Sequence, residues 1–143
     1  MSLSDAAGYS GKPVWMKLGI APNTRVLTRD APDGYAALIG LREAELLRAA
    51  SRGEFDLVHL FATSASKLAA ELNALAKRLP ATGVIWVSWP KKAAKVATDI
   101  TEDTVRGIAL PLGLVDIKVC AVDATWSGLK LMWRRDRRAD KKR

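Results

Sequence analysis

The sequence predicts an α/β fold, a small mostly parallel sheet flanked by helices and closed by a C-terminal antiparallel hairpin. Three observations predict it. Phe55–Ala62 and Gly83–Trp89 are continuous apolar runs of strand length, as strands buried on both faces require. Each is followed by a segment with helical spacing and its own start and stop signals. Val115–Val122 and Trp126–Trp133 are separated only by the turn Asp123–Thr125, close enough to pair antiparallel. Strands alternating with helices of roughly 10–16 residues call for crossover connections and parallel pairing.

The elements follow in order. Val14–Leu18 predicts a short helix stopped by Gly19. Trp15 is too large to stand free, and is expected to pack on the domain or at an interface. Arg25–Arg29 predicts a strand, ended by the turn sequence Asp30-Ala31-Pro32-Asp33-Gly34. Tyr35–Leu41 follows as a short helix, and Glu45–Ala49 as a weak strand with helix a close rival. After Phe55–Ala62, Thr63 or Ser64 caps a helix running to Leu79. Leu68, Leu72, Leu75 and Leu79 recur at intervals of four and three and make its apolar face. Pro80 and Gly83 end that segment. Thr101 caps a second helix, with Glu102 and Asp103 favourably placed in its first turn and Gly113 closing it. The last strand is expected at one edge of a mixed sheet, with Trp133 a candidate for an interface and Gly128 marking a bulge or close backbone approach. No internal repeat or splitting linker appears.

Residues 1–133 therefore read as one domain, with Met1–Ala7 expected to be disordered. Residues 134–143 form a basic tail. It holds seven basic and two acidic residues, a net of +5 out of +8, which leaves +3 for the rest. Arg134, Arg135, Arg137, Arg138, Lys141, Lys142 and Arg143 would attract nucleic acid without sequence preference. A disordered solubilising end is the plainer expectation. No apolar run approaches the ~20 residues a membrane span needs. No cleavable leader opens the chain, and the single cysteine, Cys120, fits a reducing compartment. The expected location is cytoplasmic.

Chemistry is sparse. One histidine and one cysteine exclude a Cys/His zinc site within the chain, and no metal site is expected. His59, mid-strand between Val58 and Leu60, reads as a satisfied core histidine, and Cys120 as a small buried hydrophobe. Walker, G-x-S-x-G and H-E-x-x-H motifs are absent.

In open α/β sheets ligands bind at the carboxyl ends of the strands, and that rule selects three places. The first is the Asp30–Gly34 turn. The second is Thr63, Ser64 and Ser66 at a helix start, whose free N–H groups favour an anion. The third is Trp89 with Lys91, Lys92 and Lys95. Together they would make a rim for a phosphate or carboxylate, with Trp126 covering the sheet end as a core plug or stacking on a ligand. Asp99, Glu102 and Asp103 read as capping and dipole groups, with acid–base work by Asp30 or Asp99 as the rival.

Two resemblances follow from quoted residues. Gly8-Tyr9-Ser10-Gly11-Lys12-Pro13, Lys17-Leu18-Gly19-Ile20, Trp89-Pro90-Lys91-Lys92, Val96–Asp103, Gly113–Asp116 and Thr125-Trp126-Ser127-Gly128-Leu129 resemble an uncharacterised bacterial domain family with no assigned activity. The order strand, helix, strand, helix, hairpin resembles the closing half of the class I methyltransferase fold, a Rossmann-like architecture. That resemblance implies a glycine-rich turn after the first strand for the methionine part of the cofactor. Here the turn Thr28–Gly34 carries one glycine, and no cofactor is assigned. The leading expectation is a non-enzymatic binding module for a small anionic or nucleotide ligand. A small methyltransferase-like enzyme and a nucleic-acid accessory protein acting through the tail are the alternatives. No membrane partner is expected, and the oligomeric state is open.

Overall fold

The apolar runs become the middle of a six-stranded sheet. The computed structural model describes residues 12–40, 43–49 and 54–141. Expectations for Met1–Gly11, for Leu41 at the end of the second helix, and for Lys142 and Arg143 lie outside the described residues. The strands are β1 (Arg25–Arg29), β2 (Glu45–Leu47), β3 (Leu57–Phe61), β4 (Val84–Pro90), β5 (Leu114–Ala121) and β6 (Trp126–Trp133), in spatial order β2-β1-β3-β4-β6-β5. β2, β1, β3 and β4 run parallel, and β6 pairs antiparallel with both β4 and β5. The chain moves from β1 outward to β2, then returns to place β3 on the other side of β1. The order in which strands are added therefore reverses between β1 and β3.

The helices are α1 (Val14–Leu18), α2 (Tyr35–Ile39), α3 (Ala65–Ala76), α4 (Glu102–Ala109) and α5 (Arg135–Lys141). Two core layers follow from the crossovers. On one face α3 and α4 bury Leu68, Leu72, Leu75 and Val105 against Leu27, Val58, Ile85 and Leu131. On the other, α1 and α2 bury Val14, Leu18, Tyr35 and Ile39 against Val26, Leu57, Phe61 and Trp86. Opposite placement of α2 and α3 is what right-handed crossovers to opposite sides of β1 require. Trp86, fully buried, donates its indole N–H to the Leu18 carbonyl at 2.9 Å and so fastens α1 to the sheet.

Each predicted element is present, with ends shifted by a residue or a few. Leu79 lies beyond the last turn of α3 yet is fully buried, which explains why it kept the helical spacing. Ser64 caps α3, its hydroxyl accepting from the Lys67 N–H. Thr101 and Thr104 form a reciprocal capping box on α4.

Three expectations need correction. The last strand is not at the edge: β6 inserts between β4 and β5, and β5 forms the edge. The side chains explain the exchange, because Leu129, Leu131 and Trp133 of β6 are buried whereas Asp116–Val119 of β5 are exposed. A register shift between Asp116 and Lys118, together with Lys118 itself, blunts that edge. Trp133 is no interface residue: it is 2% exposed and donates to the Leu79 carbonyl at 3.1 Å. The tail is no disordered end over Arg135–Lys141, which is helical. Arg138 donates to the Trp133 carbonyl at 3.1 Å, and the Arg137 guanidinium packs on Gly113 so closely that a Cβ there would meet it at 3.0 Å. Two of the tail's arginines are thus spent on holding α5 to the body.

Candidate functional site at the carboxyl ends of the strands

The three places selected by the strand-end rule have different fates. Only the first is open. A cleft of about 910 Å³ is lined by Thr28–Ala36 together with Leu46 and Arg48, at the carboxyl ends of β1 and β2 beside the reversal of strand order. This volume lies within the range of small-molecule sites. The turn that shapes it places Asp30 at φ 57° and Gly34 at φ 81°. The first is an uncommon conformation for a residue with a Cβ, and aspartate is among the few that tolerate it. Asp30 faces Lys67 of α3 at 3.5 Å, and Arg29 is bound to Glu71 of the same helix at 2.9 Å. Asp33 and Arg48 make no ion pair among the described residues, so the cleft offers one free charge of each sign.

The second place is filled by the chain itself. The carboxylate of Asp99 accepts from the Ala65 N–H at 2.7 Å, at the start of α3. Thr98 donates to the Thr63 carbonyl at 2.7 Å, so the segment after β4 folds over the end of β3. The anion that Thr63 and Ser64 were expected to attract is therefore supplied internally, and the Ser66 hydroxyl bonds the Ser64 hydroxyl at 3.1 Å.

The third place is split. Trp89 is 7% exposed and belongs to the core on the α3/α4 side, because it alternates inward with Val87 and Ile85. Lys92 and Lys95 are exposed on a single turn of tight helix and its left-handed cap, and Lys91 is half-buried. None of them lines the cleft. Trp126 packs edge-on against Phe61 with ring centroids 5.0 Å apart, as a core plug would. Gly128 is the predicted close approach, since a Cβ there would lie 3.1 Å from Val122 and 3.2 Å from Trp86.

Beneath the cleft lies a buried polar chain. The Tyr35 hydroxyl bonds His59 Nδ1 at 2.8 Å, and His59 Nε2 bonds the Ser88 hydroxyl at 2.7 Å. His59 is fully buried and stacks on Phe61 at 4.2 Å. Burial pushes its pKa down to about 3, so the ring is neutral, and burial pushes the Tyr35 phenol up. His59 is thus the satisfied core histidine of the sequence reading, and Tyr35 links it to the cleft wall.

The acidic cluster is structural. Asp99 caps α3, while Glu102, Asp103 and Asp116 all converge on Arg106, which joins α4 to β5. Cys120 is half-buried, and burial raises its thiol pKa. No group of three or more metal-ligating side chains occurs among the described residues, and no helix among them is long and apolar enough to cross a membrane.

Sequence reasoning missed Arg48 and Tyr35; it read Asp99 as a capping group but did not show that the helix it caps is α3. Arg48 directly follows β2, so the strand-end rule would have found it had Glu45–Ala49 been firmly a strand.

Neither a family model nor a curated protein matches the chain, so the resemblance to the uncharacterised bacterial family gains no support from them. Solved structures do match in fold. A tRNA methyltransferase of B. subtilis, TrmK, has a TM-score of 0.58 at 12% identity, covering 90% of this chain and 68% of that one. An O-methyltransferase of neocarzinostatin biosynthesis, solved with S-adenosyl-L-homocysteine and 1,4-dihydroxy-2-naphthoic acid, has a TM-score of 0.59 at 12% identity, covering 84% of this chain and 51% of that one. A Rossmann-superfamily protein of Streptococcus agalactiae has a TM-score of 0.55 at 10% identity, covering 85% and 68%. The chain thus has the Rossmann-like fold on which S-adenosylmethionine-dependent methyltransferases are built. At these identities the likeness is one of architecture.

Proposed function

We propose that the chain is a methyltransferase-like domain that binds S-adenosylmethionine in the cleft at the ends of β1 and β2. The observation that carries this reading is the open cleft itself, at the carboxyl ends of β1 and β2 and beside the reversal of strand order. Its residues suit the ligand. The amino-acid end of S-adenosylmethionine carries an ammonium and a carboxylate, and the cleft offers Asp33 and Arg48. Leu46 and Ala36 give apolar wall for the adenosyl part. The left-handed Asp30 and Gly34 let the turn fold back without the second glycine that the methyltransferase resemblance implies.

When bound, the sulfonium supplies an electrophilic methyl group. The chain's part is to orient it: Arg48 and Asp33 hold the charged ends, and Tyr35, fixed by His59, stiffens the wall. Asp30 is held toward Lys67 and serves the cleft's shape rather than proton transfer. Non-catalytic binding uses the same cleft, and that engagement of Asp30 favours it as the second reading.

Thermal unfolding with S-adenosylmethionine and S-adenosylhomocysteine tests the proposal. At ~100 times the dissociation constant either ligand stabilises the fold by about 2.7 kcal/mol, and Arg48→Gln removes most of the shift. No shift with either ligand rejects the reading. Binding without methyl transfer to any of a panel of acceptors selects the binding module.

A further inference from the structure

A second pocket, of about 260 Å³, opens between α1 and the edge strand β5. It shares no lining residue with the cleft. Its wall carries three ammonium-bearing side chains, Lys12, Lys17 and Lys118, and no carboxylate among the described residues. Lys17 is 6% exposed, a rare depth for a lysine, and its ammonium donates to the Ala121 carbonyl on the pocket wall. That bond fixes one positive charge at a defined point. Lys12 and Lys118 are exposed at the mouth, free to close over an occupant.

The surroundings add to the positive field. Lys91 pushes on Lys17 and Lys118 pushes on Lys130, while burial disfavours the charged form of both Lys17 and Lys130. The nearby carboxylates are committed elsewhere. Asp123 accepts from the Thr125 and Trp126 N–H groups at 2.8 Å each, although its charge still favours the Lys17 ammonium. Asp116 lies on the opposite face of β5, bound to Arg106. Met16, 47% exposed, gives the mouth an apolar side. Several donors converging from different directions, with more than one positive charge to balance, match a doubly charged oxyanion better than a single carboxylate.

We propose that the pocket between α1 and β5 binds the phosphate group of a phosphorylated ligand. Lys17 sets the position of the phosphate, Lys12 and Lys118 close on it, and Met16 meets the organic part. This site is independent of what the cleft holds.

Calorimetric titration of the full chain with pyrophosphate at low ionic strength tests it. Lys12→Gln with Lys118→Gln should lower affinity by about a hundredfold, roughly tenfold for each lost charge-assisted bond. Both side chains are exposed, so the double variant should keep the wild-type melting temperature. Lys141→Gln with Lys142→Gln removes the same charge from the tail and should change affinity less than about threefold, the share of general electrostatics. A mononucleotide and a short oligonucleotide in parallel distinguish a terminal phosphate from a phosphodiester backbone; either one responding to the pocket variant supports the site. Absence of pyrophosphate binding, or equal losses in the two double variants, overturns it.

Discussion

The two faces of the sheet are built differently. The α3/α4 face is covered by helices of twelve and eight residues, and its core is aliphatic apart from Phe55, Trp89 and Trp133. The α1/α2 face is covered by helices of five residues each, and it holds His59, Ser88 and Lys17, the polar and charged residues buried in the described structure. Both pockets meet this thinner face, through Tyr35 at the cleft and Lys17 at the lysine pocket. Short helices leave the sheet incompletely covered, and the uncovered parts become the places where a ligand can sit. Both faces carry a buried core, but only the thin face adjoins the two pockets.

The comparison implies a test at its largest scale. Trp86 is the anchor of the thin face, fully buried and bonded to Leu18. Trp86→Ala should cost about 3–5 kcal/mol and Leu72→Ala on the thick face about 2–5. Urea unfolding measures both. A cost below about 1 kcal/mol for Trp86→Ala would mean that α1 is decoration and that one face alone carries the fold.

Acid sharpens the contrast next. Below pH ~6.5 the imidazole of the unfolded chain takes a proton that folded His59 refuses down to about 3. Stability is therefore full above pH ~6.5 and falls as pH drops, by about 1.4 kcal/mol per unit, until the folded group itself titrates. His59→Gln keeps an amide in place of the ring and removes the titration. Comparing the pH dependence of the urea midpoint in the two proteins isolates the term. Parallel curves between pH 6.5 and 4 would show that His59 is not buried neutral.

The same two faces explain what was legible in the sequence. The thick face is written locally: leucines at helical spacing, continuous apolar strands, Thr and Ser caps. The order of the sheet was only half legible. Turn length paired β5 with β6 correctly, but which of the two faces solvent depends on comparing Asp116–Val119 with Leu129–Trp133, and that contrast decides the edge. Of the candidate site, Asp30 was found because it ends a clear strand. Arg48 was missed because a three-residue strand leaves almost no periodicity. The Asp99–Ala65 bond spans 34 positions, so an apparent helix-start anion site gave no local sign of being taken. Trp89 carried no signal separating core from rim, since its inward alternation appears only once β4 is placed between β3 and β6.

The smallest expected effect concerns that internal anion. Asp99 is exposed, and it holds the α3 start as a capping residue does, except that it comes from 34 residues along the chain. Asp99→Ala should cost about 0.5–2 kcal/mol, the usual range for losing a cap. It should also free the Ala65 N–H and loosen the segment that folds over β3. Amide exchange at Ala65 and Asp99 should accelerate while exchange at Leu72 stays slow, because the thick face does not depend on the cap. If the variant also gains affinity for added phosphate or sulfate, the second place is a latent anion site held shut by the chain's own carboxylate. If it gains none, the helix start is a cap alone, and the open cleft and the lysine pocket are the two places left to hold a ligand.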